Sequence, residues 1–421
     1  MARDDGTASL AEILCALSFA TDTSMGQFME HGLKTGYISL RLADVLHLGE
    51  EDRQGVFYGA LLKDAGCTSC AGIFASFFAG DDLGAGRDRL LMKPDSVRDA
   101  VAWFWRHAPQ DPSIGGRLGN LFSFMTQCRS VMKESVTTHC EVAEMFVRRL
   151  GLPKSVQDAV RYAWERWDGN GLAFGLKGSN VPIVARILHL AQVVEVAHYF
   201  GGKAAAIAVA TERRGNDFDP EVVAAFLQLS MRGDFWSILE QEATQATILE
   251  MKPPAPFDLI AEAQIETVCE VLADFADVKS RNTWNHSLAV AETAVTIGRN
   301  LGLQQAQVSK LRRSALVHDL GKAAVPVGVL DKTSGLTAGD WERFRMHPYF
   351  TERILARIEP LADLVPDAMS HHEWVNGQGY HRGTFGDQIP LGGRILAVAD
   401  SYVTESRALG KRLTRDKSSG N

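Results

Sequence analysis

Apolar residues recur along most of the chain at helical rather than strand spacing. Between 283 and 301, Ala289/Val290, Ala294, Ile297 and Leu301 fall at i, i+4 and i+7/8, and Gly302 follows as a stop. Over 304–320, Val308, Leu311, Ala315 and Leu316 mark one apolar stripe. Thr337 and Asp340, just ahead of Trp341, have the spacing of a capping box. Alternating runs of strand type are hard to find, so the pattern predicts an all-α fold. NDFDPEVVAAFL (216–227) predicts a closing helix in the first half, and the stiff MKPPAPF (251–257) reads as a linker. The expected organisation is a domain over 1–250, a linker over 251–261, a second domain over 262–413 and a tail over 414–421.

The two halves repeat one another. Gly169 and Gly171 fall on Gly377 and Gly379, Pro182 on Pro390 and Arg186 on Arg394, all 377 − 169 = 208 apart. Upstream, His31 falls on His286 and Lys63-Asp64 on His318-Asp319, 286 − 31 = 255 apart. The difference, 255 − 208 = 47 residues, is an insertion in the first copy between Asp64 and His139. Several matches in constant register make a tandem of one helical unit. Asp219 plus 208 would be 427, past Asn421, so the second unit is expected to lack its closing helix and TRDKSSGN to be a disordered tail.

Composition narrows the partners. With 421 residues and 46% apolar content the chain can form two or three domains with cores. A net charge of −7, spread along the chain, gives no basic face for nucleic acid and suits cations, or a phosphate ligand held through metals. MARDDGTASL has no signal-peptide pattern. Apolar stretches such as AGIFASFFAG (71–80) fall short of the ~20 residues that span a bilayer, so no membrane association is expected. The six cysteines, Cys15, Cys67, Cys70, Cys128, Cys140 and Cys269, make no disulfide framework, which fits a reducing cytoplasm. Cys67-x-x-Cys70 has no second pair beside it and reads as two small buried residues before it reads as a metal or redox site.

The chemistry gathers in the second half. His286, His318, Asp319, His347, His371, His372 and Asp400 offer imidazoles and carboxylates, the usual ligands of iron, manganese or zinc. Seven such groups are too many for one ion and suit two. Asp319 can bridge them with its two oxygens. Two ions ~3.5–4 Å apart can clamp a phosphate and turn a bridging water into hydroxide at neutral pH. Lys322, at i+4 from His318, is expected on the same helix face, where its ammonium would meet a phosphate oxygen. Singly, His286 reads as a satisfied half-buried histidine, His347-Pro348 as a helix start and Asp400 as a cap. Jointly, in a repeat unit, they read as ligands.

HDLGK (318–322), His286-Ser287, HP (347–348), HHE (371–373), the GxGY of 377–380 and the VAD ending at Asp400 resemble the HD-GYP branch of the HD phosphohydrolase superfamily. The resemblance covers about 260–410, and more faintly 15–230 as a degenerate copy. The chain also resembles bacterial proteins in which paired HD domains precede a LuxR-type helix-turn-helix, a motif not found here. The resemblance implies two tandem HD-like helical domains and two divalent metals, iron or manganese. It implies hydrolysis of cyclic di-GMP by a metal-bridging hydroxide. His286, His318, Asp319 and Asp400 would hold one metal, and Asp319 would bridge to a second held by His347, His371 and His372. Asp319 and Lys322 would be catalytic, Lys322 on the scissile phosphate, and Tyr380 would contact the nucleotide. Arg407 and Arg412 stand near the place of the family's substrate-binding basic stretch. The chain departs at Asn376, for an aspartate, and at His381, for the proline of GYP, which should loosen that turn. Asn282 stands where members with three metals have a glutamate, so two metals are expected.

At the seven ligand positions the first copy has His31, Lys63, Asp64, His139, Ala163, Trp164 and Gln192, and Leu172 replaces the tyrosine. No metal is expected there. The copy reads as a structural or dimerising domain, so a homodimer is the expected assembly, and alternatively as a sensor of a ligand or partner. For the whole chain, the alternatives to a cyclic di-GMP phosphodiesterase are a catalytically weak regulator that binds metal or nucleotide, and an HD phosphohydrolase of another nucleotide or phosphomonoester.

Overall fold

The structure, a computed structural model, describes residues 7–77, 83, 86, 89–93, 96–107, 114–240, 244–332, 334–380 and 382–418. The chain divides into two compact units: Arg3–Ala261 with Pro326–Gly328, and Glu262–Val325 with Val329–Asn421. Both are helical.

In the first unit, β1 (Thr7–Ser9) pairs antiparallel with β2 (Leu259–Ala261). Strands of three residues carry no readable alternation, and β2 falls inside the stretch expected to be linker. Asp258 ties the pair down, its carboxylate accepting from the Ala11 amide at 2.9 Å and the Tyr58 hydroxyl at 3.0 Å. The helices are α1 (Leu10–Ser24), α2 (His31–Val45), α3 (Glu50–Leu62), α4 (Cys67–Phe77), α5 (Val97–His107), α6 (Ile114–Arg149), α7 (Lys154–Tyr162), α8 (Ile183–Glu212), α9 (Pro220–Ser230), α10 (Gly233–Leu239) and α11 (Thr244–Glu250). Phe19, Tyr37, Phe57, Tyr58, Phe226 and Phe235 fill the core. α9 is the expected closing helix, capped by Asp219 with Pro220 in its first turn. Cys67 and Cys70 are buried, and burial pushes the Cys70 thiol up to about 11, as the plain reading of that pair requires.

One expectation fails here. α8 has 30 residues and is long and apolar enough to cross a bilayer, with a mean hydropathy of 1.2 over its most apolar window. Buried positions make up 67% of that window, and Gly201-Gly202 kinks the helix, Gly202 with φ 65°. It is a core helix of this unit.

The second unit holds α12 (Glu262–Asp277), α13 (His286–Asn300), α14 (Gln305–Val317), α15 (Ala338–Arg345), α16 (His347–Leu355) and α17 (Leu391–Ser418), with a 3₁₀ turn at Leu320–Ala324. Val290, Ala294, Val308, Leu311 and Ala315 are buried along the stripes read from the sequence. The Thr337/Asp340 capping box is present. Two corrections follow. α17 runs on through 414–418, so that stretch is helix rather than tail. α14 ends at Val317, so Lys322 sits on the 3₁₀ turn rather than one α-turn beyond His318.

Register is kept between the units to the residue. α2 plus 255 gives the bounds of α13, and α3 plus 255 those of α14, while α8 and α17 start 391 − 183 = 208 apart. Glu30 and Asn285, 255 apart, both take positive φ, 80° and 59°, just ahead of α2 and α13. Gly66 and Gly321, again 255 apart, pass so close to a neighbouring carbonyl that a Cβ would lie 1.9 Å from His139 O and 2.0 Å from His347 O. Those two histidines are 208 apart. Only glycine permits that approach.

Asp22 in the first unit and Asp277 in the second are also 255 apart. Asp22 accepts from the Gly32 amide at 3.1 Å, and Asp277 from the Ser287 amide at 2.8 Å. Burial raises Asp22 to about 7, and its Oδ2 has no hydrogen-bond partner. A carboxyl raised above its unfolded value of ~3.9 holds a proton that the unfolded chain has released. Its contribution to stability is therefore full below about pH 4 and lost as pH rises through about 7. Asp22→Asn keeps the Oδ1 acceptor and removes the titration. The variant should melt above wild type at pH 8 and close to it at pH 5, by calorimetry. An equal offset at both pH values would refute the account.

Candidate metal centre

Three imidazoles are aimed before any ligand arrives. His318 Nδ1 donates to the Ala315 carbonyl at 2.6 Å, His347 Nδ1 to Phe344 O at 2.7 Å and His371 Nδ1 to Ala368 O at 2.6 Å. Each bond fixes the tautomer and leaves an Nε2 lone pair pointing inward. His286 opens α13 and His347 opens α16, each held by the turn before it. His371 and His372 sit on a turn after the short helix Val365–Ala368, with ring centroids 4.2 Å apart. Asp400 comes from α17.

These donors converge on Asp319 from two sides. Its Oδ2 lies 3.4 Å from His286 Nε2 and 3.2 Å from His318 Nε2. Its Oδ1 lies 3.3 Å from His347 Nε2 and 3.6 Å from His371 Nε2. Asp400 completes the first group, with Oδ1 2.9 Å from His286 Nε2, and His372 the second, its Nε2 3.9 Å from Asp400 Oδ2. Three overlapping donor groups result, His286/His318/Asp400, His347/His371/His372 and, joining them, His318/Asp319/His371.

The donor chemistry fits cations. His347 and His371 point Nε2 at Nε2 across 3.1 Å, and with both Nδ1 atoms donating, these are facing lone pairs. His318 Nε2 and Asp319 Oδ1 are buried without a directed hydrogen bond. Facing acceptors in a buried site repel unless a cation lies between them. Burial pushes His347 down to about 4 and lowers His286 and His372, so these rings are neutral, as ligands must be, whereas the Asp319 carboxylate raises His318 despite its burial, so a cation bound there would displace a proton.

Other predicted residues fall at the rim. Lys322 donates to Asp319 Oδ2, and although burial disfavours its charge, the Asp319 and Asp400 carboxylates hold its pKa above the ordinary value. Tyr380 stacks on His372 at 4.3 Å and 25°. Asn282 donates from Nδ2 to Leu330 O at 3.4 Å. Arg407 donates to the carbonyls of Trp284 and Asn285 at 2.9 and 2.8 Å, bracing the left-handed turn before His286. The Arg412 side chain and His381 lie outside the described residues.

Three residues had not been singled out. Arg345 lies 5.5 Å from the Tyr380 ring and donates to the Gly379 and Tyr380 carbonyls. Thr351 donates to His318 O and accepts from Gly321 N, both at 2.9 Å. Glu373 accepts from the amides of Arg382 and Thr384 and so ties down the glycine loop. Glu165, 208 residues earlier, does the same with Phe174, Gly175 and Leu176. The shared register was a signal for Glu373. Arg345 and Thr351 left none.

At the aligned positions of the first unit an ammonium stands among the ligand residues. Lys63, fully buried, pairs with Asp64 and donates to His31 Nε2 at 3.2 Å. His31 Nδ1 pairs with Glu195, and His139 Nε2 donates to the Lys63 carbonyl at 2.8 Å.

Comparison with known proteins agrees with this geometry. A family model described as HD domain matches residues 117–222 and 245–418. The 3'3'-cGAMP-specific phosphodiesterase 3 of Vibrio cholerae is 30% identical over 396 residues, 94% of this chain and 86% of that protein. A cyclic di-GMP phosphodiesterase of Thermotoga maritima is 33% identical over 137 residues, 32% of this chain and 37% of that one. Among solved structures, a cyclic GMP-AMP specific phosphodiesterase of V. cholerae (V-cGAP3) superposes with a TM-score of 0.65 at 27% identity, covering 94% of this chain and 87% of that one.

Proposed function

The chain belongs to the HD-domain family and is a metal-dependent phosphodiesterase of that family; from this premise we propose that it hydrolyses 3'3'-linked cyclic dinucleotides at a two-metal centre in its second unit, with cyclic GMP-AMP preferred to cyclic di-GMP. The observation that carries the reading is Asp319, whose two oxygens face two different histidine groups. One ion would be held by His286, His318, Asp319 and Asp400, and the other by Asp319, His347, His371 and His372, iron or manganese being what the family resemblance implies among the metals these donors suit. Such ions supply a water of lowered pKa and neutralise a phosphodiester. The chain's own part is to hold Asp319 ionised, to aim the rings, to keep His286, His347 and His372 neutral, and to offer the Lys322 ammonium to the phosphate. What favours cyclic GMP-AMP is extent. The cGAMP-specific relative aligns over 94% of the chain, both units included, whereas the cyclic di-GMP enzyme from T. maritima aligns over 32%.

Tyr380 has one ring face against His372, which leaves its hydroxyl as the group for substrate. Tyr380→Phe should keep metal content and lower kcat/KM about tenfold, the worth of one hydrogen bond to a charged group. Tyr380→Ala also removes the stack on His372 and should lower metal content as well. Wild-type kcat/KM in the phenylalanine variant would remove Tyr380 from substrate contact.

The test of the whole reading is metal content by mass spectrometry on anaerobically prepared protein, paired with separate hydrolysis assays on cyclic GMP-AMP and cyclic di-GMP with Mn(II) or Fe(II). Two ions and faster cyclic GMP-AMP turnover are expected. Faster cyclic di-GMP turnover would reverse the preference. Two ions without turnover would favour a regulator, and no metal would end the site as drawn.

A further inference from the structure

The first unit contains a cavity of about 260 Å³ that the hydrolytic centre does not use. It borders the degenerate site at Trp164, one of the seven aligned ligand positions. Trp164 on its wall aligns with His372, and Leu172 with Tyr380, each 208 residues on. Four arginines line it, Arg89, Arg129, Arg166 and Arg213, with Asp217 the only acid among the lining residues. Four arginines thus face one lining acid, in a chain whose net charge is −7. His189 adds no charge, because burial pushes it down to about 4.

The arginines are placed rather than scattered. Arg213 donates to the Leu90 and Leu91 carbonyls at 3.1 and 2.7 Å and sits 3.5 Å from Asp217. Arg166 pairs with Asp168 and Asp217 at 2.7 and 2.9 Å. These two form the floor, already balanced by acids. Arg89 lies over the Trp164 ring at 4.6 Å. Arg129, on α6, is exposed and makes no ion pair among the described residues. The remaining wall is apolar and aromatic, with Met92, Ala100, Phe124, Met132 and Val136. Phe124 is itself packed on Trp103 and Phe104, which stiffens that side.

We propose that this cavity is a binding site for a nucleoside monophosphate, its phosphate on Arg129 and Arg89 and its base against Trp164 and Phe124. Guanidinium groups suit phosphate, and an aromatic wall suits a flat heterocycle. The size argues for one nucleotide. About 260 Å³ lies just under the roughly 300–1,000 Å³ of pockets that enclose drug-sized ligands, which suits a mononucleotide better than the larger cyclic dinucleotide. The first copy thus exchanged a metal site for an organic-anion site on the same scaffold.

The test uses the full chain loaded with metal. GMP is titrated by calorimetry into wild type, Arg129→Glu and Ala100→Trp so loaded, and into Asp319→Asn treated with the same metal, with inorganic phosphate as a second probe. One saturable GMP site is expected. Arg129→Glu, at an exposed position, should weaken it at least ~tenfold by replacing an attractive charge with a repulsive one. Ala100→Trp should do the same by filling the cavity, with all charges kept. Asp319→Asn, in the second unit, should leave it unchanged. GMP binding lost only in Asp319→Asn would place the nucleotide in the hydrolytic unit and overturn the proposal. So would binding indifferent to both first-unit variants, no saturable binding, or phosphate alone binding as tightly as GMP. Hydrolysis of cyclic GMP-AMP by the same preparations reports separately on the second unit, so either reading can fail alone.

Discussion

Asp319→Asn should abolish cyclic dinucleotide hydrolysis and strip most of the metal from the second unit. The carboxylate sits between two donor sets, Oδ2 at 3.2–3.4 Å from His318 and His286, and Oδ1 at 3.3–3.6 Å from His347 and His371. Burial opposes its charge, yet the His318 and Lys322 charges hold its pKa well below the ordinary value. Asparagine has nearly the same shape and loses that charge. One of its ends becomes an NH₂, which cannot donate a lone pair to an ion. Whichever way the amide turns, one donor set loses its shared oxygen and the other keeps only a neutral carbonyl. Lewis-acid stabilisation of a phosphodiester transition state is worth several kcal/mol, so activity should fall at least ~10³-fold. His372→Ala should cost less, because His372 belongs to one donor group only and its Nε2 stands 3.9 Å from Asp400. The measurement is metal content together with the turnover rate. An Asp319→Asn enzyme that keeps both ions and wild-type turnover would refute the bridging role.

The helices were legible because their apolar faces are regular. Val290 and Ala294, then Val308, Leu311 and Ala315, sit where period 3.6 puts them, and all are buried. The donor set was legible for a different reason: histidines and aspartates at positions aligned with another copy are hard to explain as surface residues. What stayed hidden depends on contacts that local pattern does not encode. Lys322 sits on a 3₁₀ turn in which Gly321 passes the His347 carbonyl, a contact 26 residues away. The end of α17 is polar, so its sequence reads as tail although it continues the helix. β1 and β2 are 250 residues apart and three long. The four arginines of the cavity stand at 89, 129, 166 and 213, and only the packing of the first unit brings them to one wall.

Lys63 is where the two copies part most sharply, and its removal should have the largest effect on folding. A lysine between Leu62 and Asp64 in a buried helix end reads as a lost ligand and nothing more. The structure gives it a task. Its ammonium is fully buried, pairs with Asp64 and donates to His31 Nε2, among residues that in the second copy surround a cation site. Burial alone would raise the Asp64 pKa, but the Lys63 charge holds it low. A covalently tethered cation thus balances a carboxylate that a metal would otherwise balance. Lys63→Met keeps the length of the chain and leaves Asp64 buried without its counter-charge. Breaking a buried pair from one side costs about 3–5 kcal/mol. In a unit of this size that is a fall in melting temperature of roughly 10 °C for the first unit. Lys63→His, which restores the ligand type of the second copy, should also destabilise the unit and should not recruit metal, because Ala163, Trp164 and Gln192 still stand at the other ligand positions. Calorimetry and metal analysis of the two variants decide it. A Lys63→Met chain as stable as wild type would show that Asp64 needs no cation, and metal bound by Lys63→His would show that the lysine, rather than the other lost ligands, keeps metal out of the first copy.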